Sequence, residues 1–292
     1  MLEYKNKTGV PMQIGDYDIQ LIKCGEFRLD GGAMFGVIPK TLWQKEFPAD
    51  ENNRILLALN TLLVVGNGRV ILIDSGTGNK FSEKYVNIYG IDFKKYSLTK
   101  SLSEKNIQPE DVTDVILTHL HFDHAGGTTY YDSAGELKLQ FPNAIHYIQK
   151  KQLDWAQKGF EKDRASYLKE NLTALLFSKK LKKLKSGGKL YNGIELIISN
   201  GHTKAQQMVL ISDEENKLLY ASDLFPTSAH IPIPWIMAYD LEPIVTVYEK
   251  KEILKKAVDA NWIIFFEHDP KISCATIKKT EKGYQLGTVL NI

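Results

Sequence analysis

The sequence predicts a single α/β domain, and three observations carry that prediction. A chain of 292 residues with 43% hydrophobic and 25% charged content can bury one large core. Short apolar runs of strand length recur along it, separated by turn signals and helical stretches. Several of these runs end directly in a histidine or an aspartate, and strand carboxyl ends are where α/β sheets present their chemistry. No internal repeat or low-complexity linker interrupts the pattern, so the expected domain spans 1–292.

The runs 17–25, 60–66 and 69–74 read as strands of a first sheet, with Asn67-Gly68 a hairpin turn between the last two. Residues 97–106 read as a helix that turns Leu98, Leu102 and Ile107 inward, and 113–118 as the next strand. A strand is expected at 144–149, then a helix-rich stretch at 150–184. Within it, Lys179–Lys185 reads as a solvated amphipathic face, its leucines turned inward, that Gly187-Gly188 ends. Strands return at 194–199, 206–212 and 217–222, and the apolar run 262–266 is another. Pro243, well placed in a first turn, opens a helix to about Ala260. Ile231-Pro232-Ile233-Pro234 is expected to be extended and stiff, since each proline fixes its own φ and restricts its predecessor.

The chemistry is concentrated in His119-Leu120-His121-Phe122-Asp123-His124, which follows the β-run Val115–Thr118 and precedes Ala125-Gly126-Gly127. Imidazoles two apart on an extended strand end point the same way, so His119 and His121 can share an ion. Asp123 and His124 fall where the chain bends and can address a second ion. Burying four such side chains unpaired would be costly, which favours a metal site over coincidence. Each ion wants about four ligands. His202, Asp223 and His268 each follow an apolar run and supply the remainder. His146, inside a strand-like run, reads as an ordinary histidine.

Composition excludes other classes. A formal charge of +2 is too near balance for a nucleic-acid partner. Cys24 and Cys274 lie far apart without zinc-finger spacing, which points to a reduced compartment. The start of the chain lacks the apolar core of a signal peptide, and the longest apolar stretch, near 56–65, is too short and too polar to span a membrane. A cytoplasmic location without a membrane partner is expected.

His-x-His-x-Asp-His, then Gly201-His202, Asp223 and His268 in that order, resembles the metallo-β-lactamase superfamily, and Leu72-Ile73-Asp74-Ser75-Gly76 is similar to that family's early strand-turn element. The resemblance implies a four-layer αββα sandwich with metals at one edge between the sheets. It implies His119, His121 and His202 on one ion, Asp123, His124 and His268 on the other, Asp223 bridging, and Asp74 organising the ligands from behind. The implied cofactor is two divalent ions, zinc first, with iron, manganese or cobalt as alternatives.

Asp30–Lys40 with Trp43, and Ser222–His230 with Ala238-Tyr239-Asp240, are similar to the YtnP-type quorum-quenching lactonases. This implies opening of a lactone or related ester by a metal-bridging hydroxide. Asp123 would carry a proton to the leaving alkoxide, and His230 would be a second catalytic candidate beside the oxyanion. Met34, Phe35, Trp43, Phe225, Trp235 and Tyr239 are the candidate acyl pocket, and Met34–Trp43 would cover the site or make homodimer contacts. Two departures stand out: Pro226 replaces the tyrosine that such lactonases carry, and Gln206 replaces a recurrent histidine. The rival readings are a phosphotriesterase or arylesterase, then a di-iron oxidoreductase, against which His121 stands where that branch uses glutamate, and a nuclease.

Overall fold

The computed structural model describes residues 12–292 and the backbone of Tyr4–Lys5. Alternation along the strands explains its layers. In Arg69–Ile73, Ile71 and Ile73 face one way and Val70 and Leu72 the other; in Gln206–Ser212, Val209 and Ile211 oppose Met208 and Leu210. A strand that is apolar at every position must be covered on both faces. Ile71, Ile73, Val209 and Ile211 meet in a core between two sheets. Leu72 packs outward with helices Leu98–Ser103, Lys150–Lys158 and Lys169–Phe177, while Met208 and Leu210 pack under helix Pro243–Asp259. The layers therefore run helix, sheet, sheet, helix.

The first sheet has the order Leu181–Leu184, Ile145–Gln149, Asp114–Ile116, Arg69–Ile73, Arg54–Gly66, Tyr17–Asp30, Met12–Ile14. The second runs Tyr4–Lys5, Gly283–Leu290, Cys274–Thr280, Ile263–Phe265, Lys217–Tyr220, Gln206–Ser212, Ile194–Ser199, Gly188–Tyr191. Arg69–Ile73 and Asp114–Ile116 are parallel in the first sheet, as are Lys217–Tyr220 and Ile263–Phe265 in the second. Each pair thus delivers its following residues, Asp74 and His119 or Asp223 and His268, to the same end of its sheet.

The Asn67-Gly68 hairpin is present, with φ of 51° and 71° at its two turn residues, the conformation a two-residue turn demands. Lys179–Lys185 keeps the expected exposed lysines and inward leucines but not the expected helical form. Leu181–Leu184 is an edge strand parallel to Ile145–Gln149, and the helical part of 150–184 ends at Phe177. In a strand, residues three apart face opposite sides, so Leu181 joins the helix-side core and Leu184 the inter-sheet core. Lys182 and Lys183 stay exposed and blunt the edge. The Ile231–Pro234 segment is turned instead of extended, with Ile231 at φ −62° and ψ −44°. Buried Lys250 draws the Pro232 and Trp235 carbonyls together at 2.9 and 2.6 Å, and this overrides the local preference. The strands at 188–191, 274–280 and 283–290 and the extension of the first long pair to Asp30 and Arg54 were not expected from the sequence.

His146 is fully buried, and burial holds its imidazole down at about 4. With the folded value below the unfolded one, the unfolded chain takes up this proton first as pH falls. Stability is therefore lost between about pH 6.5 and 4, by on the order of 3 kcal/mol at the lower end. Urea titrations of His146→Leu are expected to show a gain over the parent at pH 5 that shrinks at pH 7.5. Equal differences at both pH values would refute it.

Candidate active site

The His119–His124 segment leaves the Asp114–Ile116 strand and turns into the short helix Phe122–Ala125, so His119 and His121 sit before the bend and Asp123 and His124 on its first turn. Glycine is required next. A Cβ on Gly126 would lie 2.0 Å from the Thr77 carbonyl oxygen, and one on Gly127 2.1 Å from that of Ser75. The close approach lets Ser75 donate its N–H and hydroxyl to the His124 carbonyl at 2.8 and 2.9 Å. Asp74, at a left-handed φ of 61°, accepts the Thr118 N–H at 2.7 Å and its hydroxyl at 2.6 Å.

Seven donors converge. His121 Nδ1 lies 3.0 Å from His119 Nε2 and 3.2 Å from His202 Nε2, and Asp223 Oδ2 is 3.0 Å from His202 Nε2. Beside them, His124 Nε2 and His268 Nε2 are 3.3 Å apart, with Asp123 Oδ2 at 3.9 and 3.7 Å. Asp223 touches this second group too, Oδ2 at 3.5 Å from His124 and Oδ1 at 3.3 Å from His268. Tetrahedral ligands at about 2.0–2.1 Å from an ion stand about 3.3–3.4 Å apart, the scale of these separations. Asp223 Oδ1 has no hydrogen-bond partner among the described residues. The donor set, two clusters of buried imidazoles joined by one carboxylate, fits two divalent ions.

Four of the five outward nitrogens are held as ligands require, while His121 Nε2 has no hydrogen-bond partner among the described residues. His202 Nδ1 meets Asp240 Oδ1 at 3.0 Å, His268 Nδ1 the Ala58 carbonyl at 2.9 Å, and His119 Nδ1 the Thr118 hydroxyl at 3.1 Å. His124 Nδ1 lies 3.1 Å from both Asp74 Oδ2 and Glu267 Oε2. Asp240 and Glu267 were not singled out in the sequence, although Glu267 directly precedes His268 and Asp240 lies in the lactonase-like segment. Burial keeps His119 and His121 well below the ordinary imidazole value, with neighbouring imidazoles adding to it, so their lone pairs are free. Burial also opposes charge on His202 and His268, but Asp223 overcomes it and raises both to about 9. A cation and a proton compete for these two nitrogens.

Asp240→Ala is expected to weaken metal at the His202 position by about tenfold to a hundredfold, because the imidazole loses the partner that fixes its tautomer and angle. Competition with a chelator measures this, and an unchanged affinity would show that His202 orients itself.

A cavity of about 360 Å³ opens over the cluster, with His121, Asp123, His202, Asp223 and His268 on its floor. Of the residues expected to line it, Met34 and Tyr239 do so. Phe35, Trp43, Phe225 and Trp235 do not. Phe35 stacks on Trp43 at 5.5 Å and meets Trp235 edge-on at 5.6 Å in the core that also holds Met34, whereas Phe225 is buried in the separate core under helix Pro243–Asp259. Gly31 allows this, since a Cβ there would lie 2.4 Å from the Trp43 ring. Asp30 caps the following helix through the Ala33 N–H at 2.8 Å, which turns Ala33 and Met34 onto the cavity.

His230 is also corrected. It is 1% exposed, stacked on Phe35 at 4.9 Å, with one ring nitrogen 2.8 Å from the Met34 carbonyl and the other 2.8 Å from the Thr227 hydroxyl. It lies outside the cavity lining and has no nitrogen left to offer a substrate. Pro226 accepts the His268 N–H at 2.8 Å, so that position braces a ligand, and the cavity's phenols come from Tyr89 and Tyr239. Gln206 stays clear of the cluster, near Ser199. Its neighbour Gln207 ties the sheets together, donating its backbone N–H to the Thr118 carbonyl at 2.8 Å and its amide to that of Leu117 at 2.7 Å. Both cysteines are buried and free, and among the described residues no helix is long and apolar enough to cross a membrane.

Residues 55–268 match the model of the metallo-beta-lactamase superfamily. An N-acyl homoserine lactonase of Bacillus cereus is 29% identical over 172 residues, which are 58% of this chain and 60% of that protein. The chain thus spans about three fifths of the length of the curated relatives it matches. A probable metal-dependent hydrolase from Staphylococcus aureus superposes with a TM-score of 0.87 at 31% identity, over 96% of this chain and 99% of that one. AidC, a dizinc quorum-quenching lactonase in complex with its product, shares the fold with a TM-score of 0.75 at 24% identity, over 95% and 96% of the two chains.

Proposed function

This chain belongs to the metallo-beta-lactamase superfamily, and we propose that it is a metal-dependent hydrolase opening a lactone, of the acyl-homoserine-lactone kind, or a related carboxylic ester. The observation that carries the reading is the seven-donor cluster at the floor of a cavity walled by Leu29, Met34, Phe122 and Met237. An apolar wall beside a few fixed polar groups suits an acyl ester better than a polyanion. We assign His119, His121 and His202 to one ion, Asp123, His124 and His268 to the other, and Asp223 to both, with zinc as the metal. When bound, such ions polarise a carbonyl and make water nucleophilic at neutral pH.

The remaining work falls to the chain. The apolar wall holds the acyl group and keeps bulk water from the reacting carbonyl. Asp123 faces the cavity from the helix turn, and its carboxylate accepts a proton at one oxygen and returns it to the departing alkoxide. Asp74, Glu267 and Asp240 keep the imidazoles at fixed angles. The free cysteines agree with a cytoplasmic enzyme.

Turnover of a panel by purified protein of known metal content tests the reading. The panel comprises short- and long-chain acyl-homoserine lactones, aryl esters and phosphotriesters, with His121→Ala as control. Lactone opening that follows bound metal and disappears in the control is the expected result. Turnover of triesters or aryl esters alone would move the substrate to the rival class.

A further inference from the structure

Between Glu170 and Glu195 the chain has six lysines and no carboxylate, although its formal charge is only +2, so the remainder carries −4. Lys189 stands directly opposite Glu195 in the second sheet and is balanced there. The other five, Lys179, Lys180, Lys182, Lys183 and Lys185, flank or form Leu181–Leu184, the last strand of the first sheet. The strand beside it sets His146, Tyr147, Ile148 and Gln149 against it, none of them acidic. Among the described residues the lysines that pair with carboxylates are Lys138, Lys150, Lys255 and Lys256, so these five have no ionic partner. Lys180 reaches the Asn143 carbonyl at 3.1 Å and Lys182 lies over the Tyr147 ring at 5.5 Å, and neither contact neutralises an ammonium. Leu181 and Leu184 turn into the two cores, which leaves Lys179, Lys182, Lys183 and Lys185 exposed along the side of the sandwich. Two residues ahead of Lys179, helix Lys169–Phe177 ends on a phenylalanine that is 87% exposed. Lysines on an edge strand guard against stray strand pairing, but that role needs no aromatic ring in water beside them.

We propose that this flank is a docking surface for an anionic lipid bilayer, Phe177 entering the interface and the five ammonium groups resting among the headgroup phosphates. The combination is what such a surface recognises: clustered lysines follow its negative potential, and one large apolar side chain beside them reaches the acyl boundary. A four-residue strand is about 13 Å long, so the lysines can meet one broad surface together. A nucleic acid fits less well. The patch has no arginine, the side chain best matched to phosphodiester oxygens, and an exposed phenylalanine has no role along a duplex backbone. The protein would lie on the bilayer, not span it. The absence of a membrane partner was expected from a nearly balanced total charge, and that total conceals a patch whose charge is offset elsewhere on the surface. None of these side chains lines the cavity, so the docking surface stands independently of the hydrolase reading. For an enzyme acting on acyl esters, the bilayer is also where substrates with long apolar tails collect.

The test is co-sedimentation of the full chain with vesicles of phosphatidylcholine alone or with about one third phosphatidylglycerol, at about 0.05 M and 0.5 M salt. The expected result is binding to the anionic vesicles at low salt, none to the neutral ones, and release at high salt. A lysine near such a surface contributes about fivefold to the partition coefficient, so Lys182→Glu with Lys183→Glu should lower it by at least about a hundredfold. Lys179→Glu with Lys185→Glu, both outside the strand, repeats the reversal without touching the sheet and should give a loss of the same order. Phe177→Ser should cost about tenfold and leave the salt dependence unchanged, because it removes an apolar contact and no charge. Circular dichroism of each variant confirms the fold. Three results would overturn the docking surface: no binding to anionic vesicles at low salt, equal binding to neutral ones, or binding that survives both charge reversals. Retention of a DNA duplex by a protein that ignores the vesicles would assign the patch to a nucleic acid instead. Sedimentation needs no turnover, so failure here leaves the hydrolase reading untouched.

Discussion

Asp223→Ala is expected to remove both ions and lower lactone turnover by at least about a thousandfold, equivalent to about 4 kcal/mol of lost transition-state stabilisation. The size follows from position. Asp223 puts one oxygen against each cluster, 3.0 Å from His202 through Oδ2 and 3.3 Å from His268 through Oδ1. Removing it leaves five imidazoles facing one another, with Asp123 as the remaining carboxylate of the donor set. Its surroundings keep it anionic: burial opposes its charge, but His124 and His202 hold it well below the ordinary carboxylate range. Elemental analysis after dialysis, paired with lactone kinetics, checks both parts. Two retained ions in the alanine variant would show that the clusters bind independently.

Asp123→Asn is expected to separate binding from chemistry. The amide oxygen can still face His124 and His268, so metal content should stay near the parent's, but the side chain can no longer accept and return a proton. Positioned general acid–base groups contribute about a hundredfold to ten-thousandfold, and a loss of that order is predicted for an unactivated lactone. With an aryl ester, whose leaving group departs without protonation, the loss should be much smaller. Equal losses on both substrates would mean that Asp123 acts through the metal and not through proton transfer.

The seven donors were legible in the sequence because each follows an apolar run that can only be a buried strand, and strand ends are fixed by the run itself. Asp240 and Glu267 were harder to find. A carboxylate that braces an imidazole needs only proximity in space, and Asp240 reaches His202 across 38 positions of chain. The aromatic pocket was misread because Phe35, Trp43 and Trp235 share the neighbourhood of cavity residues but present their rings to one another. His230 went wrong in the same way: nearness to Asp223 in sequence did not decide which way its ring faces. The Lys179–Lys185 run shows the remaining difficulty, since leucines three apart suit one face of a helix or two faces of an edge strand, and only the neighbouring strand selects between them.

The measurement that bears most directly on the dinuclear assignment is anomalous diffraction from crystals grown with zinc, collected on either side of the zinc absorption edge. Two peaks about 3.5–4 Å apart are expected, one among His119, His121 and His202, the other among Asp123, His124 and His268, with Asp223 contributing one oxygen to each. A single peak, or a second peak displaced from the Asp123–His124–His268 group, would contradict the dinuclear site on which the rest depends.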